Sequence, residues 1–191
     1  PSKSVARKEL ALDENQIYCT FVGRLTQIKR PDRLLDVAKA CVARGLDLHF
    51  LVAGEGELFE SSQQRAIQEN LPVTFLGWRK DIDQLFAASD IAILTSDNEG
   101  IPLTLIQAAQ AGLPIVSTNV GSIKDIVIDG ETGFLTSTQP GAMASALSAL
   151  VTDVDLRDNL GMAGRAHAKK YFSLAKSLQD HSDLYNYSQN Q

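Results

Sequence analysis

Short apolar runs alternate along the chain with longer segments in which apolar residues recur every three or four positions. The short runs are rich in β-branched residues and predict strands at 17–22, 48–53, 73–76, 91–94, 115–117 and 134–136. Helical spacing predicts helices at 31–43, 58–70, 82–88, 102–111, 141–150, 155–170 and 174–187. A turn predicted at Gly121 precedes a short helix that ends at Ile128. Strands that are apolar throughout and alternate with helices are typical of a parallel sheet. The pattern therefore predicts an α/β fold, a Rossmann-like doubly wound parallel sheet of about six strands with helices on both faces.

Composition narrows the class of protein. The 191 residues are 44% hydrophobic and 21% charged, as in an ordinary globular chain, and the formal net charge is −5. Nucleic-acid binders usually carry a basic surplus, so no nucleic-acid partner is expected. No apolar run is long enough to predict a transmembrane segment. Cys19 and Cys41 are too few for a disulfide framework and are predicted to be reduced thiols in the core. No spacing of histidine, cysteine and carboxylate residues suggests a metal site.

Candidate chemistry follows the strands, because ligands of doubly wound sheets bind beyond the carboxyl ends of the strands. After the first strand, Arg24, Lys29 and Arg30 crowd one loop of an acidic protein. Such cations can bind a phosphate, although a solvated loop with incidental charges is an equally good interpretation. After the second strand, Gly54 and Gly56 either admit a ligand to the backbone or only form a tight turn. They do not form a dinucleotide fingerprint, since position 59 is phenylalanine.

The segment after the fourth strand is the most informative. Glu99 precedes Gly100 and the start of a predicted helix, whose free N–H groups can bind an anion. Glu99 could instead be a carboxylate favoured by the helix dipole, and Gln107, about two turns into the helix, a partly buried polar residue. Trp78, after the third strand, either borders a pocket for a base or covers the sheet edge.

Four motifs in this order resemble those of one enzyme family. They are Phe21–Leu25 followed by Lys29, Val52–Gly56, Ser96–Pro102 continuing to Gln107, and Thr118–Leu135. They are similar to the G-R-L…K diphosphate loop, the G-x-G turn, the E-x7-E element and the segment after it in glycosyltransferase family 4. From Ile17 to Tyr187 the chain thus resembles the C-terminal, donor-binding domain of a GT-B glycosyltransferase.

The resemblance implies transfer of a hexose from a UDP- or GDP-linked donor, usually with retention of configuration, in cell-envelope polysaccharide or glycoconjugate synthesis. Cations at the diphosphate would make a metal cofactor unnecessary. The implied site residues are Gly23, Arg24 and Lys29 at the diphosphate, Glu99 as the catalytic residue at the donor sugar, the backbone of Gly100, Ile101, Pro102 and Leu103 at the sugar and phosphate, Gln107 at the ribose, and Gly54, Gly77 and Trp78 at the base.

The chain also departs from the family pattern. Gln107 stands where the family has its second glutamate, which removes a charge from the expected ribose contact. Residues 1–16 are expected to be a linker and first turn, 17–170 the donor domain, and 171–191 a helix crossing back to an N-terminal domain that this chain lacks. Leu174, Leu178 and Leu184 would then be exposed. The fragment alone is expected to be inactive and cytoplasmic, with peripheral membrane contact only through the other domain.

Two other functions compete with a glycosyltransferase donor half. Gln107 and the absent half favour a nucleotide-sugar-binding module without catalysis. A sugar-nucleotide epimerase built on the same half-fold is the other alternative. An oxidoreductase is disfavoured because the dinucleotide fingerprint is absent.

Overall fold

In the computed structural model, which describes residues 1–172, six parallel strands form one sheet. The strands are β1 (Tyr18–Val22), β2 (His49–Ala53), β3 (Val73–Gly77), β4 (Ile91–Leu94), β5 (Ile115–Thr118) and β6 (Gly133–Thr136). Their order is β3-β2-β1-β4-β5-β6, and every neighbouring pair is parallel. The predicted doubly wound sheet is confirmed, and each strand ends within one residue of its predicted boundary.

Helices flank the sheet on both faces. They are α1 (Lys3–Glu9), α2 (Pro31–Ala43), α3 (Phe59–Gln68), α4 (Ile82–Ala88), α5 (Leu103–Ala111), α6 (Ile123–Ile126), α7 (Pro140–Thr152) and α8 (Val154–Tyr171). Alternate residues of β2 show the two faces, because Phe50 and Val52 belong to the larger core while Leu51 and Ala53 pack with Leu85 of α4. The predicted helix at 174–187, with Leu174, Leu178 and Leu184, lies outside the described residues.

Helix α1 occupies part of the segment for which the sequence predicted a linker. Its buried Arg7 donates to the Ala88 carbonyl (3.0 Å) and to Asp90 (2.6 Å), which fixes α1 against the end of α4. Lys3 adds a second ion pair to Asp90 at 2.7 Å. A seven-residue, mostly charged segment has little intrinsic helicity, so this distant contact explains why periodicity did not predict the helix.

Both cysteines are free and buried, as predicted. Burial raises the pKa of Cys41 to about 12 and raises that of Cys19 well above its ordinary value. No helix within residues 1–172 combines the length and apolar character needed to cross a bilayer.

The strand order defines where a ligand crevice can form. β1 lies between β2 and β4, so the chain leaves β1 toward one side of the sheet and leaves β4 toward the other. The loops that follow β1 and β4 therefore diverge at the topological switch point, the position at which doubly wound sheets bind their ligands.

Candidate functional site

Backbone hydrogen bonds at glycines hold the loops after β1, β2 and β3 side by side. The N–H of Gly23 donates to the Ala53 carbonyl (3.0 Å), and that of Gly54 donates to the Gly77 carbonyl (2.7 Å). Gly54 has φ +139°, and a Cβ there would lie 2.0 Å from the Gly23 carbonyl oxygen. The backbone can approach this closely only without a side chain, so Gly54 sets the distance between the loops after β1 and β2.

A cavity of about 560 Å³ opens above these loops. It is lined by Val22, Gly23, Arg24, Ala53, Gly54, Glu55, Gly56, Trp78, Arg79 and Ile82. The structure thus brings the predicted diphosphate residues Gly23 and Arg24 together with the predicted base residues Gly54 and Trp78. Gly77 lies next to these residues, because its carbonyl accepts the hydrogen bond from the Gly54 N–H. The volume is in the ordinary range for small-molecule sites.

Arg24, Glu55 and Trp78 are the exposed side chains that line this cavity, and Arg24 and Trp78 can serve a nucleotide. Arg24 is exposed and makes no ion pair or side-chain hydrogen bond within residues 1–172, so its guanidinium is available to an anion. The Trp78 ring is 62% exposed, with the Lys80 ammonium 5.6 Å from its centre. A flat aromatic face at the mouth of a cavity suits stacking of a base.

Lys29 and Glu99 meet across the switch point. Lys29 Nζ lies 2.5 Å from Glu99 Oε1, although the two residues are 70 positions apart in the chain. The Ser96 hydroxyl donates to the same oxygen at 2.5 Å. The Glu99 side chain is only 8% exposed, and within the described residues Oε2 accepts no hydrogen bond. Glu99 is therefore held through one oxygen, which leaves the other able to accept a further hydrogen bond.

Ser96 is a site residue that the sequence reasoning missed. It is fully buried, and its carbonyl accepts a hydrogen bond from the Thr118 hydroxyl at 2.7 Å. Its position three residues before Glu99, inside the motif already singled out, was the signal that could have identified it.

Gly121, predicted only as a turn, supports Glu99 from the loop after β5. It has φ +56°, and a Cβ there would lie 1.8 Å from the Glu99 carbonyl oxygen. The next residue, Ser122, donates its N–H to that same oxygen at 3.3 Å. Two consecutive residues of the loop after β5 thus hold the backbone of Glu99.

The start of α5 presents free N–H groups beside Glu99. No side chain caps this helix, and within the described residues the N–H groups of Gly100, Ile101 and Leu103 donate no hydrogen bond. Such groups at a helix N-terminus can bind an anion. Pro102 has no N–H, so it can shape the turn but cannot donate as the other three can.

Gln107 lies in a different cavity from the predicted base residues. It is exposed on α5 and lines a space of about 590 Å³ together with Lys3, Asp83, Phe86 and Arg165, among others. The two cavities share no lining residue, although Ile82 lines one and the next residue, Asp83, lines the other. A ribose contact for Gln107 stays a prediction. No cluster of three metal-binding side chains occurs within residues 1–172.

The close approach at Gly54 predicts a large loss of stability on substitution. Gly54→Ala is expected to lower the free energy of unfolding by at least about 2 kcal/mol more than Gly45→Ala. Both glycines have positive φ, but a Cβ at Gly45 meets nothing within 4 Å. Urea denaturation of the two variants measures the difference, and equal losses would contradict the backbone clash.

The family described as glycosyl transferases group 1 matches residues 2–167. Among the relatives, an Escherichia coli UDP-Gal:alpha-D-GlcNAc-diphosphoundecaprenol alpha-1,3-galactosyltransferase is 31% identical over 185 residues, covering 93% of this chain and 47% of that protein. A D-inositol 3-phosphate glycosyltransferase of Nocardia farcinica is 32% identical over 180 residues, covering 87% of this chain and 40% of that protein. The chain therefore spans less than half the length of these relatives.

Solved structures agree in fold. The Anabaena protein HepE, in complex with UDP and glucose, superposes with a TM-score of 0.88 at 23% identity, over 96% of this chain and 51% of that one. The C-terminal domain of LpcC, a Francisella tularensis group 1 protein, superposes with a TM-score of 0.80 at 19% identity, over 91% of this chain and 94% of that one. The chain thus belongs to the glycosyl transferases group 1 family and has the fold of the C-terminal domain of a GT-B glycosyltransferase.

Proposed function

We propose that this chain is the donor-binding domain of a retaining hexosyltransferase, which moves a sugar from a UDP- or GDP-linked donor to an acceptor in polysaccharide or glycoconjugate synthesis. The observation that carries the proposal is the contact of Lys29 with Glu99 at the switch point, beside the cavity lined by Arg24 and Gly54. The name of the Escherichia coli relative includes UDP-Gal, and HepE was solved with UDP, which supports UDP as the first nucleotide to test.

The cavity and the cations Arg24 and Lys29 bind different parts of the donor. The base stacks near Trp78 and Gly54, and the diphosphate reaches Arg24 and Lys29 on the loop after β1. When the bond between the sugar and the diphosphate breaks, the leaving nucleoside diphosphate gains negative charge. Cations fixed at that position stabilise the transition state more than the ground state. Arg24 and Lys29 thereby supply the charge that a metal ion would otherwise provide.

Glu99 and the start of α5 hold the sugar. Glu99 Oε1 is occupied by Lys29 and Ser96, so Oε2 accepts a hydrogen bond from a hydroxyl of the donor sugar. The N–H groups of Gly100, Ile101 and Leu103 face the sugar and the adjoining phosphate. These contacts fix the anomeric carbon relative to the leaving group, which lowers the entropy that the reaction must lose.

Calorimetric titration of this chain with UDP, GDP and ADP, each beside its monophosphate, tests the proposal. Saturable binding of one diphosphate is expected, with the monophosphate at least about tenfold weaker because it loses a charge-assisted contact. Circular dichroism establishes that the chain is folded. Absence of binding by the folded chain to all three diphosphates would overturn the proposal.

The type of reaction requires a separate assay. With a protein that supplies the acceptor-binding half, NMR of the product gives the anomeric configuration, and retention is expected. Donor converted to an epimerised sugar without any acceptor would instead identify an epimerase.

A further inference from the structure

Arg30, which follows Lys29, has an unusual backbone conformation. Its φ of 54° and ψ of 57° place a non-glycine residue in the left-handed region. Such residues are disfavoured and persist only where the surroundings hold them in place. The contacts that hold Arg30 also fix the backbone on both sides of Lys29.

The segment after β4 binds three consecutive carbonyls around Lys29. The N–H of Asp97 donates to the Ile28 carbonyl at 2.9 Å. The Thr95 hydroxyl donates to the carbonyls of Lys29 (3.0 Å) and Arg30 (3.1 Å). The same segment carries Glu99, so one stretch of chain positions both members of the ion pair.

The Asp97 carboxylate links the segment after β4 to Arg30, at the end of the loop after β1, and to Arg33 on α2. Its Oδ2 accepts from Arg30 at 2.9 Å, and its Oδ1 accepts from Arg33 at 2.5 Å. Arg33 is buried and also donates to the Thr95 carbonyl at 2.5 Å. Hydrogen bonds from Arg30 and Arg33 hold the pKa of Asp97 below its ordinary value, so this carboxylate is ionised at neutral pH.

We propose that Asp97 is a positioning residue that, through Arg30 and Arg33, holds Lys29 against Glu99 and in reach of the donor diphosphate. The inference rests on the proposed function for its ligand. Asp97 is proposed to act without contacting the donor itself. It acts by keeping the loop after β1 in the one conformation that places the Lys29 ammonium at the switch point. Because that loop is already ordered, binding of the diphosphate does not lose the entropy of ordering it.

A double-mutant cycle tests the coupling between Asp97 and Lys29. UDP is the probe, replaced by GDP or ADP if the titration selects one of them, and uridine serves as the ligand without phosphate. Asp97→Asn is expected to weaken UDP binding about tenfold, in the range of coupling through a shared contact network, and to leave uridine binding unchanged. In a Lys29→Ala background the same substitution is expected to have no further effect on UDP binding.

Asp36→Asn is the matched control. Asp36 lies on α2, accepts from Arg65 at 2.5 Å and has a side chain 45% exposed, against 44% for Asp97. It is expected to leave UDP affinity unchanged. Unchanged UDP affinity in a folded Asp97→Asn variant would overturn the proposal. An undiminished effect of Asp97→Asn in the Lys29→Ala background would also overturn it, because Asp97 would then act independently of Lys29.

Arg30→Gly provides a second test if Asp97→Asn does not fold. Glycine adopts the left-handed conformation without strain, so this variant keeps the fold while losing one arginine of the network. Its UDP affinity is expected to fall several-fold without a lower melting temperature. Affinity equal to that of the unmodified chain would overturn the proposal.

A measurement without ligand separates this inference from the proposed function. In a ¹⁵N-labelled chain, the ammonium signal of Lys29, assigned by its loss in Lys29→Arg, reports its ion pair with Glu99. The signal is expected to disappear in Asp97→Asn and persist in Asp36→Asn. If it does so while no nucleotide binds, Asp97 positions Lys29 and the proposed function is wrong. A Lys29 signal that persists in Asp97→Asn would overturn the positioning role.

Discussion

Replacing Arg24 and Lys29 together with alanine is expected to weaken binding of the preferred nucleoside diphosphate by about 3–6 kcal/mol, more than a hundredfold. Each cation is expected to contribute a charge-assisted hydrogen bond of about 1.5–3 kcal/mol to the diphosphate. Neither contact can be replaced by water without leaving phosphate charge less well compensated. Titration calorimetry of the double variant and of each single variant gives the separate contributions.

The two single variants differ in what else they disturb. Arg24 has no ion-pair partner within residues 1–172, so Arg24→Ala removes a cation that the ligand can contact and breaks no ion pair there. Lys29→Ala also leaves the nearly buried Glu99 carboxylate without its cation, so the melting temperature must be measured beside the affinity. The double variant Lys39→Ala, Arg44→Ala is the matched control, because it removes two exposed cations at the far end of α2. Unchanged affinity in the Arg24, Lys29 variant would contradict the assignment of the diphosphate site.

Replacing Arg7 with methionine is expected to lower the free energy of unfolding by about 3–5 kcal/mol. The buried Arg7 side chain is 4% exposed and faces the 7% exposed side chain of Asp90, with 2.6 Å between Nη2 and Oδ2. Removing the guanidinium leaves Asp90 buried, with the half-exposed Lys3 as its remaining cation. Loss of the buried partner of a buried charge is among the largest effects of a single substitution, and urea denaturation measures it.

Two further variants identify the cause of that loss. Arg65→Met removes a partly exposed cation and is expected to lower stability by no more than about 1 kcal/mol. Adding Asp90→Asn to Arg7→Met is expected to restore part of the stability, because no carboxylate then remains buried without its arginine. A loss below about 1 kcal/mol for Arg7→Met would show that α1 contributes little to the fold.

Strands and most helices of this chain are predictable because their signals are local. The run Ile91–Leu94 is apolar at every position, and burial on both faces of a parallel sheet requires that pattern. Gly54 and Gly121 are also predictable as turn residues from local signals, because a glycine shortly after an apolar run indicates a turn. Their steric role is not, because the carbonyls that they contact, those of Gly23 and Glu99, come from other loops.

The sequence by itself determined the strand and helix order, the candidate site residues at the strand ends and the family resemblance. Only the tertiary structure decided which of those residues meet. It placed Lys29 against Glu99 across 70 positions and put Gln107 in a cavity apart from Trp78. It also fixed α1 through the contact of Arg7 with Asp90, 83 positions away. Periodicity reports which face of an element is buried, whereas the contacts of polar loops depend on strand order and register, which bring distant segments to one edge of the sheet.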